Sequence, residues 1–231
     1  MRLGILFSGG KDSCYALHVA RKAGHEIACL LTVISENEES FMFHTPNIRW
    51  TEKQAEAIGI PLLTQSTKGE KEEELKDLAA LLARAKKEFA IEGIITGALA
   101  SEYQKSRVER VCASLGLACM SPLWGREQVS YLRELVGAGF DVIVIGVFAE
   151  PLGEGWLGRK LDSSAIDELA SLQKSHGLNP AGEGGELETF VRWAPGWKRR
   201  LVIGKAKKSY RNYAGTLTIL KVEVKDLKQK G

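Results

Sequence analysis

Apolar runs of strand length alternate with helical patterns through most of the chain, and the alternation then stops. Strand patterns occupy "RLGILF" (residues 2–7), "HEIACLLTVI" (25–34), "IPLLTQST" (60–67), "EGIITGA" (92–98), "LACMSPL" (117–123) and "FDVIVIGVFA" (140–149). Helical patterns at 13–24, 51–58, 70–90, 102–115, 126–139 and 163–175 separate or follow them. Within 70–90, Leu75, Leu78, Leu82, Ala85 and Phe89 recur at three- and four-residue steps and share one face. Such alternation predicts an α/β fold, a doubly wound and mostly parallel sheet with helices on both faces. Three strand patterns then follow without helices, at 187–195, 199–210 and 215–224. "RNYAG" between the last two predicts a turn and an antiparallel hairpin. In the last pattern Leu217 and Ile219 keep one phase and Leu220, Val222 and Val224 the other, which predicts a bulge. The expected division is near residue 120, with an α/β part at 1–120 and a smaller α+β part at 121–231.

Hydrophobic content of 44% and charged content of 26% fit a soluble globular protein. The longest stretch without a charged residue, 111–125, contains Gly116, Pro122 and Gly125 and is too short to span a membrane. No targeting signal is evident at the start, so the expected location is the cytoplasm. Cys14, Cys29, Cys112 and Cys119 form no CxxC pair and read as structural thiols rather than zinc ligands. The net charge of +3 conceals an asymmetry. Residues 189–222 carry nine Lys or Arg and no Asp or Glu, so the remainder is formally −6. A basic region of this kind suits RNA, an acidic protein or plain solvated strand faces.

The chemistry begins where the first strand ends, in "LFSGGKDSCYA" (residues 6–16). Gly9 and Gly10 allow a tight turn and a close approach of the backbone to a ligand. The helix that follows directs free N–H groups and its positive end at an anion. Lys11 adds a full charge, and Ser8 and Ser13 add hydroxyl donors. Asp12 is suited to orienting backbone amides or helping to hold Mg²⁺. Neither GxxxxGK[ST] nor GxGxxG occurs here.

"SGGKDS" resembles the PP-loop of the N-type ATP pyrophosphatases, whose fold is PP-loop (HUP-like) α/β. With "MFHTPN" (42–47), "GALASEYQKSRVERVCASLGL" (97–117), "SPLWGR" (121–126) and "GEGGELETFV" (182–191), the chain resembles the diphthine–ammonia ligase family over nearly its whole length. That resemblance implies amidation of the diphthine carboxylate on elongation factor 2. ATP and free ammonium would be consumed through an acyl-adenylate, giving diphthamide, AMP and pyrophosphate. The substrate and ammonia then supply the nucleophiles, so the protein needs to position and to stabilise charge.

On this reading Ser8, Gly9, Gly10, Lys11, Asp12 and Ser13 take the phosphates and their Mg²⁺. Tyr103 and Gln104 follow a strand end and are expected to touch substrate, with Arg107 beside the adenylate or pyrophosphate. Glu183 and Glu186 are assigned to the fixed cation of diphthine or to ammonium. His44 and Asn47 are assigned to the nucleotide base, with Phe43 packing nearby. Trp193 and Trp197 are candidates for cation–π contact near the acidic loop. A homo-oligomer is compatible with the sequence. Two other functions compete. One is a PP-loop enzyme that adenylates a tRNA base, for which the basic region would meet RNA. The other is an ATP-binding regulator without turnover.

Overall fold

The computed structural model describes residues 1–36, 47–70 and 72–227. In chain order its elements are β1 (Arg2–Leu6), α1 (Lys11–Lys22), β2 (Glu26–Ser35), α2 (Thr51–Ile58), β3 (Leu62–Thr67), α3 (Glu73–Phe89), β4 (Gly93–Ile95), α4 (Glu102–Ser114) and β5 (Ala118–Met120). There follow α5 (Gln128–Gly137), β6 (Asp141–Val147), α6 (Ser163–His176), β7 (Leu187–Trp193), β8 (Arg199–Arg211) and β9 (Ala214–Asp226). The strands form two sheets. The first is five-stranded in the order β3-β2-β1-β4-β5, and every pair in it is parallel. The second is four-stranded in the order β7-β6-β9-β8, and every pair in it is antiparallel.

Alternation of side chains along the parallel strands divides the interior. Leu3, Ile5, Leu30 and Ile95 face a large cluster that runs on through Val142, Val144, Phe190, Val191 and Ile219 of the second sheet. Cys29, Leu31, Val33 and Ile94 face the other way, onto Leu75, Leu78, Leu82 and Ala85 of α3 and Val108 and Val111 of α4. The stripe read from residues 70–90 is therefore the buried face of α3, with Leu81 added to it and Phe89 only partly buried at its end. One apolar core joins both sheets.

β6 is where the sequence pattern and the topology part. It reads as one more strand of the alternating series, yet it lies inside the antiparallel sheet between β7 and β9. All seven of its residues are buried. A strand covered on both faces loses the in–out alternation that marks an antiparallel strand, so its sequence resembles that of a parallel one.

The hairpin of β8 and β9 closes through Asn212 and Tyr213, both at positive φ (50° and 61°). That is the turn whose twist matches its strands. The register slips where Lys205 pairs with Lys221 and Ala206 with Ile219. Leu220 is left over at the slip and is 43% exposed, while Ile219 and Val222 on either side are buried. The bulge thus restores the inward phase. Part of the basic excess of this region is neutralised internally: Arg192 and Arg200 share Asp141, and Arg199 meets Glu56.

Candidate active site

β2 and β4 flank β1 on opposite sides, so the chain reverses its direction of travel across the sheet at β1. The carboxyl ends of strands at such a point leave a crevice. Here it is a cavity of about 760 Å³. Its floor is the 8–13 loop and the residues after β4, Thr96 to Ala98. One wall is the start of α4, and another comes from the loop before β7 and the first residues of that strand, 182–185 and 187–189, with Phe148.

Thr32 Oγ1 donates to the carbonyl of Phe7 at 2.6 Å, fixing the exit of β1. Gly9 then turns at φ 78°. A side chain there would meet strain and also the amide oxygen of Gln54, 2.0 Å from an added Cβ. Gly10 caps α1 without a side chain, so the cap adds no hydrogen-bond acceptor to the first helical turn. Gly97 lets the exit of β4 approach that turn, since an added Cβ would stand 2.8 Å from the Ser13 nitrogen.

The second sheet holds this loop from behind. The Val191 N–H donates to the Gly9 carbonyl at 3.1 Å. Gln54 Nε2 donates to both the Gly9 and Val191 carbonyls at 2.9 Å. The Lys11 N–H donates to Thr189 Oγ1 at 3.1 Å. The Lys11 side chain is only 2% exposed, and its Nζ donates to Asp12 Oδ2 at 2.9 Å and to the Ala181 carbonyl. Tyr131, from α5, donates its hydroxyl to Asp12 Oδ1 at 2.7 Å. The Ser8 and Ser13 hydroxyls lie 3.3 Å apart, and Ser13 Oγ donates to the Gly10 carbonyl.

The other residues singled out from the sequence fall into two groups. Tyr103, Gln104 and Glu183 line the cavity with the loop. Glu183 accepts from the Ala100 N–H at 2.9 Å, and burial, followed by the charge of Asp12, pushes its carboxyl upward. Arg107, Glu186 and Asn47 are not among the lining residues. The Arg107 guanidinium stacks 3.6 Å above the Tyr103 ring and bonds Glu72, so it shapes the wall from outside. Glu186 accepts from Asn179 Nδ2 at 2.7 Å and from the Gly184 N–H at 2.8 Å, which folds the glycine loop back on itself. The Asn47 side chain donates to the Leu217 carbonyl and accepts from the Ile219 N–H, a brace on β9. His44 and Phe43 lie outside the described residues. Trp197 is buried in the core, and neither it nor Trp193 lines the cavity. All four cysteines are free thiols, and burial pushes Cys29 up to about 12, where it is inert.

Several lining or supporting residues were given no site role from the sequence, although Glu188 and Thr189 lie within the "GEGGELETFV" stretch and Glu188 is one of its three acidic residues. Gln54, Tyr131 and Thr189 reach the loop from 45, 119 and 178 residues away. Phe148 looks like the end of an apolar strand, yet its ring is 45% exposed at the cavity. Glu188 sits one residue inside β7, beside the acidic pair that the glycine spacing highlights. Its carboxyl is raised to about 7 by burial and by Asp12, against the opposing pull of Lys11.

The chain matches two family models in order. The Diphthamide synthase N-terminal domain covers residues 1–119, and the Diphthamide synthase C-terminal domain covers 127–224. It is 34% identical to the diphthine–ammonia ligase of Homo sapiens, over 90% of this chain and 84% of that protein. It is 35% identical to the enzyme of that name from Danio rerio, over 88% of this chain and 86% of the relative. The Schizosaccharomyces pombe protein of the same name is 35% identical over 96% of this chain, which spans 39% of that longer relative. With both of its parts matched in sequence order, the chain belongs to the diphthine–ammonia ligase family.

Proposed function

We propose that this chain amidates the carboxylate of diphthine on elongation factor 2, using ATP and free ammonium and releasing AMP and pyrophosphate. One observation carries the reading: the glycine loop of the first sheet and the acidic glycine loop of the second line a single cavity. An ATP phosphate site and a site for a cationic substrate are thereby brought together.

The residues suit the chemistry. The 8–13 loop, with the free end of α1 and Lys11 behind it, offers donors to the triphosphate. Burial of Lys11 strengthens its attraction for phosphate relative to an exposed lysine. Attack by the diphthine carboxylate on the α-phosphorus expels pyrophosphate and leaves an acyl-adenylate, from which ammonia displaces AMP. Tyr103 and Gln104 border the space the acyl group must occupy, and Glu183 presents a carboxylate to its fixed positive charge. Asp12 fits Mg²⁺: two donors meet its oxygens, and a carboxylate has about four acceptor positions. No three His, Cys, Asp or Glu side chains converge on one ion among the described residues. A single carboxylate is the donor set of an ion held chiefly by phosphate and water oxygens, where it neutralises phosphate charge. Action on elongation factor 2 places the protein in the cytoplasm.

The test is mass spectrometry of diphthine-bearing elongation factor 2 after incubation with the protein, ATP, Mg²⁺ and isotopic ammonium. The expected result is isotope in the new amide, with AMP as the spent nucleotide. ADP as the sole product, or AMP formation driven by bulk tRNA instead, overturns the proposal. Lys11→Ala is expected to lower AMP formation by about a hundredfold or more, with the circular dichroism spectrum unchanged.

A further inference from the structure

Glu188 is the one acidic lining residue whose position calls for a ligand. Glu183 already accepts from Ala100, and both Asp12 oxygens have donors. The carboxylate of Glu188 has no hydrogen-bond or salt-bridge partner among the described residues. The Lys11 Nζ, which attracts it, is turned to Asp12 and the Ala181 carbonyl. Glu188 is partly buried and lines the cavity, so its carboxylate, without a protein partner, faces the space a ligand would fill. Its surroundings are built to hold it there. Glu188 pairs in register with Gly146 of β6, and the Phe148 ring leans over the same glycine. A Cβ added at Gly146 would stand 2.8 Å from Phe148 Cε2 and 2.9 Å from Glu188 Cβ. The absent side chain thus brings an aromatic ring close to the carboxylate stem. A carboxylate near an aromatic ring is a small cation site.

We propose that Glu188 receives ammonium in this cavity and removes its proton, delivering ammonia to the acyl-adenylate. The proposal rests on the ligase reading above. Ammonium, like other ammonium groups, is protonated near neutrality and has no lone pair to attack with. Transfer of one proton to a Glu188 oxygen breaks an N–H bond and frees the pair. The nitrogen then bonds the acyl carbon, the bond from that carbon to the phosphate oxygen breaks, and AMP departs with its electrons. A second proton passes from nitrogen to water, leaving the amide. Glu183 of the glycine loop lines the same cavity, and the charges that act on Glu188 are those of Lys11 and Asp12 from α1. Their balance with burial holds the Glu188 carboxyl at about 7, where a proton acceptor works best in neutral solution.

Hydroxylamine separates this role from a structural one, because it is largely unprotonated near neutral pH and needs no base to attack. The full-length protein, ATP, Mg²⁺ and diphthine-bearing elongation factor 2 are supplied with either nucleophile, and amide or hydroxamate is read by mass spectrometry. For Glu188→Gln the amide-to-hydroxamate rate ratio is expected to fall about a hundredfold relative to the parent. An equal fall in both rates makes Glu188 structural and overturns the proposal, as does an unchanged ratio. The parent supplies a second readout. Its rate at limiting ammonium should rise with pH and level off above about 7. A rate that instead climbs about tenfold per unit through about pH 8 shows free ammonia taken from solution, and Glu188 is then not the base. A parent that forms neither product refutes the ligase reading itself rather than this assignment alone.

Discussion

At the scale of single residues, function and stability oppose each other at Glu188. Its folded carboxyl is raised to about 7 by burial and Asp12. A raised carboxyl contributes stability below its unfolded value, and that contribution is lost as pH climbs through the folded one. Above about pH 7 the folded state therefore carries an ionised, desolvated group. Glu188→Gln cannot ionise and should be the more stable protein at about pH 8, by up to about 3 kcal/mol, with the gap narrowing toward about pH 5. Urea midpoints at the two pH values measure this; a variant no more stable than the parent at the higher pH contradicts the burial argument. What the sequence revealed here was local chemistry. Gly9, Gly10 and Lys11 were legible because the turn, the close approach and the charge all lie within a few residues. Glu186 drew attention for the same reason, following Gly184 and Gly185, yet its carboxylate holds Asn179 and Gly184. Glu188 stood out in the same acidic run, but what sets it apart from Glu186 is the lack of a partner, and partners are set by the fold. Asn47 belongs to the same class: its amide meets Leu217 and Ile219, 170 and 172 residues away.

At the scale of elements, a strand pattern reveals turns and phases but not neighbours. The hairpin and its bulge were readable because each leaves a mark on its own strand, "RNYAG" in one case and the shift from Ile219 to Leu220 in the other. The turn is also improvable. Tyr213 holds φ 61° with a side chain that is 56% exposed. Tyr213→Gly should relieve that strain and stabilise by about 0.5–1 kcal/mol in chemical denaturation, since glycine is favoured there. β6 gave no such mark, because uniform burial hides which sheet a strand joins. Its Gly146 shows what that neighbourhood demands. An added methyl would stand 2.8 Å from the Phe148 ring, and overpacking of this kind costs about 1–3 kcal/mol. Gly146→Ala should therefore both lower the unfolding midpoint and cut amide formation, by displacing Glu188 across the register. Turnover equal to the parent's would mean that the Phe148–Glu188 arrangement is not needed in the site.

At the scale of the molecule, the 8–13 loop is completed by a sheet that comes more than a hundred residues later. The carbonyl of Gly9 accepts from Val191, and the amide of Lys11 reaches Thr189. Gln54 is the joint between the two sheets: fully buried, it donates from one nitrogen to Gly9 and Val191 while its Oε1 has no partner among the described residues. These facts separate a joint that serves stability from one that serves ligand geometry. Gln54→Leu removes two hydrogen bonds, each worth about 1 kcal/mol net. It also removes an orphan buried oxygen whose cost is about 1–3 kcal/mol. The two nearly cancel, so the unfolding free energy should change by less than about 1 kcal/mol. The loop, however, loses the side chain that fixes Gly9 against Val191, and the Lys11 amide beside it is freer to move. If that positioning matters, the KM for ATP should rise about tenfold, with a smaller effect on the KM for ammonium. A variant that unfolds more easily yet binds ATP as the parent does would make Gln54 a packing residue, and the Val191 and Thr189 contacts would then hold the 8–13 loop without it.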